Sequence, residues 1–219
     1  MPIERRYLRE ALKELRERTP KRNFNQSIEL IINLRDVDLR RPENRIQENI
    51  ELPHPIGKKV KVGVFASGDA ALRARRAGAD LVLERDEIEG LMGDRKRQRK
   101  IAKEIDFFIA IAPLMPLIGR VFGAILGPRG KMPTPIPPTA DIEREIDRHR
   151  RLVTVRTRGQ PVLSCRVGTE DMNDEDIIDN IEAVINRVEG KLGRGIRNIS
   201  SIYIKATMGP SIKVKMREE

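Results

Sequence analysis

The chain has 219 residues, 39% of them hydrophobic, which is enough for one large domain or two small ones around a buried core. Its 43 lysine and arginine residues exceed 33 aspartate and glutamate residues, so the net charge of +10 favours a polyanionic partner, nucleic acid before an acidic membrane. A single cysteine, Cys165, excludes an internal disulfide and fits a reducing compartment. The two histidines, His54 and His149, are too far apart for metal-ligand spacing, so we expect no metal site.

The N-terminal part of the sequence predicts one helix and two strands. Apolar residues recur at helical spacing over 3–18, and Pro20 follows that segment. Over 27–39, apolar residues alternate with more polar ones, which indicates a strand with one buried face. A second strand over 45–52 leads into a proline-rich linker at 53–57.

The middle of the sequence predicts a different architecture. Short apolar strands at 59–66, 80–84 and 106–112 alternate with helical segments. Strands that are apolar almost throughout and alternate with helices are typical of a parallel sheet buried on both faces. The four prolines within 133–138 exclude a helix or central strand there. We therefore predict a three-layer, Rossmann-like α/β domain over 59–151.

The C-terminal part again predicts long helices and hairpins. The sequence indicates a β-hairpin over 152–168, a helix over 173–190 capped by Asn173, and a second hairpin over 198–216. Because both ends of the chain have this pattern, we predict one discontinuous α+β domain, an antiparallel sheet with helices, formed by residues 1–58 and 152–219. The α/β domain is inserted into it.

Three local motifs leave alternatives open. Ser67-Gly68-Asp69 marks a strand-to-helix turn, where α/β folds bind phosphate, but a helix cap explains it without a ligand because no glycine-rich nucleotide motif is present. GPRGK at 127–131 is predicted to form an ordered loop that contacts RNA or braces the sheet. DRKRQRK at 94–100 indicates either a solvated helix face or a weak nucleic-acid contact.

Longer stretches carry a family resemblance. They are Phe24 with Ser27 and Glu29, AGAD at 77–80, LPHPIGKKVKV at 52–62, LGPRGKMPTP at 126–135 and IYIKATMGPSIKV at 202–214. Together they resemble the ribosomal protein L-one family, the proteins of the mobile stalk of the large ribosomal subunit, over essentially the whole chain. The N-terminus is similar to the archaeal type of that family.

The resemblance implies a structural constituent of the large ribosomal subunit in the cytoplasm, without enzymatic activity, cofactor or membrane partner. It implies that the discontinuous domain binds ribosomal RNA of the stalk, that the protein acts on transfer RNA leaving the exit site, and that it represses translation by binding its own messenger RNA. It also implies a monomer away from the ribosome. The RNA-binding residues that the resemblance implies are Arg22, Phe24, Ser27, Glu29, Ser164, Arg166, Gly168, Thr207, Met208 and Gly209.

Recognition of RNA by its shape would give several of these residues a specific role. The shallow minor groove of A-form RNA and its 2′-hydroxyls favour close backbone approach, as Gly209 permits, a hydroxyl from Thr207 and an apolar contact from Met208. The alternatives are a plain hairpin turn at Thr207–Gly209 and, for Glu29, a strand carboxylate paired with a lysine. For the whole protein, the alternatives are a nucleotide-binding enzyme with a pocket near Ser67 and a non-specific RNA chaperone.

Overall fold

The computed structural model describes residues 3–41 and 44–216. The chain divides into two compact units, one made of the segments up to Lys58 and from Arg151 onward, the other of Lys59–Arg150. The first contains antiparallel strands and the second a parallel sheet. The predicted fold class, α+β combined with α/β, is therefore confirmed.

The elements follow one another in three groups. The segment before the insertion contains α1 (Arg5–Arg18), β1 (Ser27–Leu34) and β2 (Gln47–Glu51). The inserted unit contains β3 (Val62–Phe65), α2 (Asp69–Arg76), β4 (Leu81–Leu83), α3 (Arg85–Gly90), α4 (Arg95–Glu104), β5 (Phe107–Ile111), α5 (Met115–Arg129), β6 (Thr134–Ile136) and α6 (Ile142–Arg150). The last segment contains β7 (Leu152–Arg156), β8 (Val162–Thr169), α7 (Asp174–Glu189), β9 (Ile199–Ala206) and β10 (Ser211–Val214).

The main sheet of the first unit has two unlike faces. Its strand order is β10-β9-β1-β8, with every neighbouring pair antiparallel. In β1, Ile28, Leu30, Ile32 and Leu34 are buried and the residues between them are partly exposed, as the alternation predicts. Helix α1 packs against β9 and β10, and α7 packs against β8. The helices thus cover the apolar face, and the intervening residues of β1 point away from them.

Ion pairs join α1 to α7. The arginines of α1 lie opposite the acidic residues that fill the first turns of α7, where carboxylates also complement the helix dipole. The pairs are Arg5 with Asp179 and Glu182, Arg9 with Glu175, and Arg16 with Asp174. These cations are therefore already neutralised within the unit.

The inserted unit has the predicted three layers. Its parallel sheet has the order β4-β3-β5-β6. Val62 and Val64 pack in a cluster with residues of α2 and α6, whereas Phe65 and Phe108, with ring centroids 5.4 Å apart, pack with residues of α3, α4 and α5. Since successive residues of a strand point to opposite faces, the two clusters lie on the two sides of the sheet.

The structure corrects the sequence prediction at helix α5. Residues 127–131 were expected in a loop, but Gly127, Pro128 and Arg129 form the last turn of α5, which ends at Gly130 in the left-handed conformation with φ 69°. The glycines of this helix weaken its intrinsic propensity, but Ile118, Phe122 and their apolar neighbours bury one side of it against the sheet.

The predicted hairpin at 152–168 is wrong. Strand β7 pairs with β2, which precedes the insertion, and β8 pairs with β1. The turn at Gly159, with φ 78°, therefore connects two separate sheets. The second predicted hairpin is confirmed, because β9 and β10 pair antiparallel.

Two predicted helix caps also differ. Helix α2 starts at Asp69 with Gly68 at the cap position, where φ is 59°, and no side chain caps it. A glycine adopts this conformation without a Cβ penalty, so the backbone makes the turn without Ser67. Asn173 does occupy the cap position of α7, but its side chain makes no cap hydrogen bond.

Candidate nucleic-acid interface

The strand register brings polar residues together on the open face of the main sheet. Directly opposed residues on antiparallel strands project to the same side. Glu29 of β1 lies opposite Arg166 of β8 and Lys205 of β9, and Ile31 lies opposite Ser164 and Tyr203. Two rows cross the sheet: Ser211–Lys205–Glu29–Arg166 and Lys213–Tyr203–Ile31–Ser164. The open face thus unites residues that are far apart in sequence.

The turn between β9 and β10 is fastened to the start of β1. The amide of Ser27 donates to the hydroxyl of Thr207 at 3.1 Å, and that hydroxyl donates to the carbonyl of Ser27 at 3.3 Å. The amide of Thr207 also donates to the same carbonyl at 3.1 Å. The hydroxyl that the sequence suggested for RNA is therefore used to position the turn.

A buried glutamine, Gln26, organises the neighbouring backbone. Its side-chain oxygen accepts from the amide of Met208 at 3.0 Å, and its side-chain nitrogen donates to the carbonyl of Pro20 at 3.0 Å and to the Glu170 carboxylate at 3.3 Å. Gln26 is fully buried, which favours a fixed geometry because each of these groups would otherwise lose a partner. Sequence reasoning missed this residue, since a lone glutamine before a strand gives no local signal.

Gly209 is required by close packing. A Cβ atom at this position would lie 2.7 Å from the Thr19 hydroxyl oxygen and 3.2 Å from the Ala206 Cβ. The Thr19 hydroxyl in turn donates to the carbonyl of Leu15 at the end of α1. Gly209 therefore allows the turn to approach the end of α1, which is a structural reason for the glycine.

Two large apolar side chains of the predicted site are exposed to solvent. Phe24 is 50% exposed and Met208 is 54% exposed. A cleft of about 360 Å³ has an apolar floor that includes Ile28 and Ala206, and charged side chains, among them Lys21, Arg22 and Glu170, also line it. Exposed apolar groups next to cations suit a ligand with flat faces and negative charge, as nucleotides have.

Four cations of this region are free of internal partners, in contrast to those of α1, whereas the ammonium of Lys205 donates to the carbonyl of Thr207 at 3.3 Å. Within residues 3–41 and 44–216, the side chains of Lys21, Arg22, Arg166 and Lys213 make no hydrogen bond or ion pair. Glu29 likewise makes no ion pair within 4 Å in the described part of the chain, which disfavours the alternative of a strand carboxylate paired with a lysine. The face offers unpaired charge of both signs.

Cys165 lies on β8 beside this face, but its thiol is not a reactive nucleophile. Burial raises the pKa of its thiol to about 12, and the nearby charge of Glu29 acts in the same direction. The thiol therefore stays protonated and unreactive at neutral pH.

The structure brings most of the predicted site residues to one end of the first unit. Glu29, Ser164 and Arg166 lie on the open face, and Ser27 and Thr207 join β1 to the turn. Arg22 and Phe24 lie in the segment before β1, and Met208 and Gly209 lie in the turn. The exception is Gly168, which lies opposite Ile28 at a β-bulge and is buried. A Cβ there would lie 3.0 Å from Ile177 of α7, so Gly168 faces the helices.

Other kinds of site are not seen in the described residues. No group of three or more His, Cys, Asp or Glu side chains among them could hold a metal ion. None of the helices found in the described residues is long and apolar enough to cross a membrane.

Comparison with known proteins gives one consistent family. Residues 12–210 match the model of the ribosomal protein L1p/L10e family. The chain is 48% identical to the large ribosomal subunit protein uL1 of Hyperthermus butylicus, over 98% of this chain and 99% of that protein. It is 48% identical to the uL1 protein of Pyrococcus abyssi over 98% of each chain, and 47% identical to that of Methanocella arvoryzae over 94% of this chain and 96% of the relative.

Proposed function

The chain belongs to the ribosomal protein L1p/L10e family, in its archaeal type, and we propose that it binds RNA of the large-subunit stalk through the open face and the β9–β10 turn. A ribosomal protein of this family is a structural component in the cytoplasm. This overturns the alternative of a nucleotide-binding enzyme.

One observation carries the RNA-binding proposal. The turn at Thr207–Gly209, which the resemblance assigns to RNA, is held in place by Ser27 and Gln26 and lies beside unpaired cations. A rigid backbone with short side chains suits recognition of RNA by shape, because 2′-hydroxyls and sugar edges are reached only at close approach. Unpaired cations such as Arg22 supply the phosphate contacts that give affinity.

The same surface supports two further parts of the proposal. A messenger RNA segment that folds like the stalk RNA would compete for it, and the protein would then repress its own translation. As a stalk protein, it would act on transfer RNA leaving the exit site. Away from the ribosome we propose a monomer.

The proposal is tested by binding to a large-subunit stalk RNA fragment and to an unrelated hairpin of equal length, at low and at high salt. Selective binding to the stalk RNA should survive salt that removes binding to the hairpin. Thr207→Ala removes both side-chain bonds to Ser27 and should weaken stalk binding about tenfold, or roughly 1.4 kcal/mol. Thr207→Ser keeps the hydroxyl and is the matched control. Equal, salt-labile binding to both RNAs would instead favour the non-specific chaperone.

A further inference from the structure

Helix α4 presents a stripe of positive charge that the proposed function does not use. Its sequence, RKRQRKIAKE, contains six cations and one carboxylate. Lys96, Arg99, Lys100 and Lys103 are spaced three or four residues apart and therefore share one side of the helix. All four are exposed, whereas Gln98 and Ala102 face the core.

These charges are not neutralised within the unit. In the described ranges, the one ion pair of an α4 cation joins Arg97 to Asp94, at 3.9 Å. The helix itself is fixed, because the buried Gln98 side chain donates to the carbonyl of Leu91 at 2.8 Å and the Asp94 side chain caps the first turn. The stripe is thus a rigid row of unpaired cations, unlike the arginines of α1.

The GPRGK motif extends the stripe at the end of α4. The ammonium of Lys131 donates to the carbonyls of Ala102 and Ile105, and the guanidinium of Arg129 reaches the carbonyl of Arg99 at 3.4 Å. The C-terminal end of a helix normally carries partial negative charge on such carbonyls. Lys131 and the exposed Arg129 offset it, so this negative end of the helix does not interrupt the stripe.

We propose that α4 and the GPRGK segment form a second RNA-binding surface, on the inserted unit, that contacts the phosphate backbone without reading sequence. From Lys96 to Lys103 the helix rises by about 10 Å, which is long enough to contact several phosphates of one strand. Arginine binds phosphate through paired N–H groups and lysine as a point charge. Protein interfaces instead need apolar or aromatic anchors and are poor in lysine, so this stripe fits RNA better than an acidic protein.

The experiment uses the full chain and a loop-free RNA duplex of random sequence. The test variant is Lys96→Gln, Arg99→Gln, Lys103→Gln. The control is Lys61→Gln, Arg76→Gln, Arg144→Gln, which removes the same charge from exposed positions elsewhere in the same unit. Binding is measured over a series of salt concentrations. All six side chains are exposed, and the thermal midpoint of each variant checks its folding.

The test variant should bind the duplex about tenfold more weakly at low salt, and its salt slope should fall by about two, whereas the control should change about twofold. Equal losses in the two variants would overturn this inference. Competition with polyglutamate is a second check. If polyglutamate displaces the duplex as effectively as RNA of equal charge does, the surface favours an acidic protein and the inference is overturned. The preference for stalk RNA should persist in the test variant, so a failure of selectivity would count against the proposed function alone.

Discussion

Gln26 should control both the stability of the first unit and the position of the β9–β10 turn. Gln26→Met keeps the side-chain volume but removes the bonds to the amide of Met208 and the carbonyl of Pro20, at 3.0 Å each. A typical hydrogen bond contributes about 1 kcal/mol, and a buried group left without a partner costs about 1–3 kcal/mol. The expected loss in free energy of unfolding is therefore about 2–4 kcal/mol.

Two measurements check this prediction. Urea unfolding gives the loss of stability, and hydrogen exchange of the Met208 amide reports the turn itself, since Gln26 is its hydrogen-bond acceptor. Ser201→Ala is the control, because it removes the bond from Asn33 to Ser201, at 2.9 Å, on the same sheet but away from the turn. It should cost about 1 kcal/mol and leave Met208 exchange unchanged. A wild-type exchange rate of the Met208 amide in Gln26→Met, or a loss in free energy of unfolding no larger than in Ser201→Ala, would contradict this role of Gln26.

Two further predictions concern packing and pH. Gly209→Ala should destabilise the first unit by about 1–3 kcal/mol, because the added Cβ meets the Thr19 hydroxyl, and a Thr19→Ala background should recover part of that loss in urea unfolding. Hydrogen bonds from Lys191 and Arg187 lower the pKa of Glu48 in the folded state, so the ionised carboxylate stabilises the fold. This stabilisation is present above the pKa of the unfolded chain, about 4.3, and is lost as pH falls through the pKa of the folded state. Glu48→Gln should therefore cost more at pH 7 than at about pH 3; an equal cost at both would contradict the pairing.

The sequence predicted the elements whose signals are local. Alternation in β1, the acidic first turn of α7 and the Gly-Pro turn after β9 each specify structure within a few residues. The last turn of α5, residues 127–129, was predicted as a loop because glycine lowers helix propensity, and this helix is stabilised by packing against a sheet that the local sequence does not describe. Strand β7 was paired wrongly because its partner, β2, lies on the other side of the insertion.

In the candidate site, too, the sequence indicated local features and did not reveal contacts between distant segments. The resemblance indicated Phe24 and the turn at 207–209, but the role of the Thr207 hydroxyl as a brace depends on Ser27, which is 180 residues away. Gln26 connects three separate segments, and Gly168 is turned toward α7 by a β-bulge. Bonds of this kind arise only from tertiary structure, so residue types alone could not reveal them.

The place of β1 in the sheet determines when this chain can complete its fold during synthesis. Ser27 pairs with Thr169 and Ile28 with Ala206, so β1 emerges long before either neighbouring strand has been made. The continuous segment Lys59–Arg150 holds the whole parallel sheet and can fold while the rest is still being synthesised. Long-range pairing is slow because distant segments must first meet. Strand β1 is therefore made before its partners but is among the last strands to pair, and its apolar residues stay unpaired until β8 and β9 have been made.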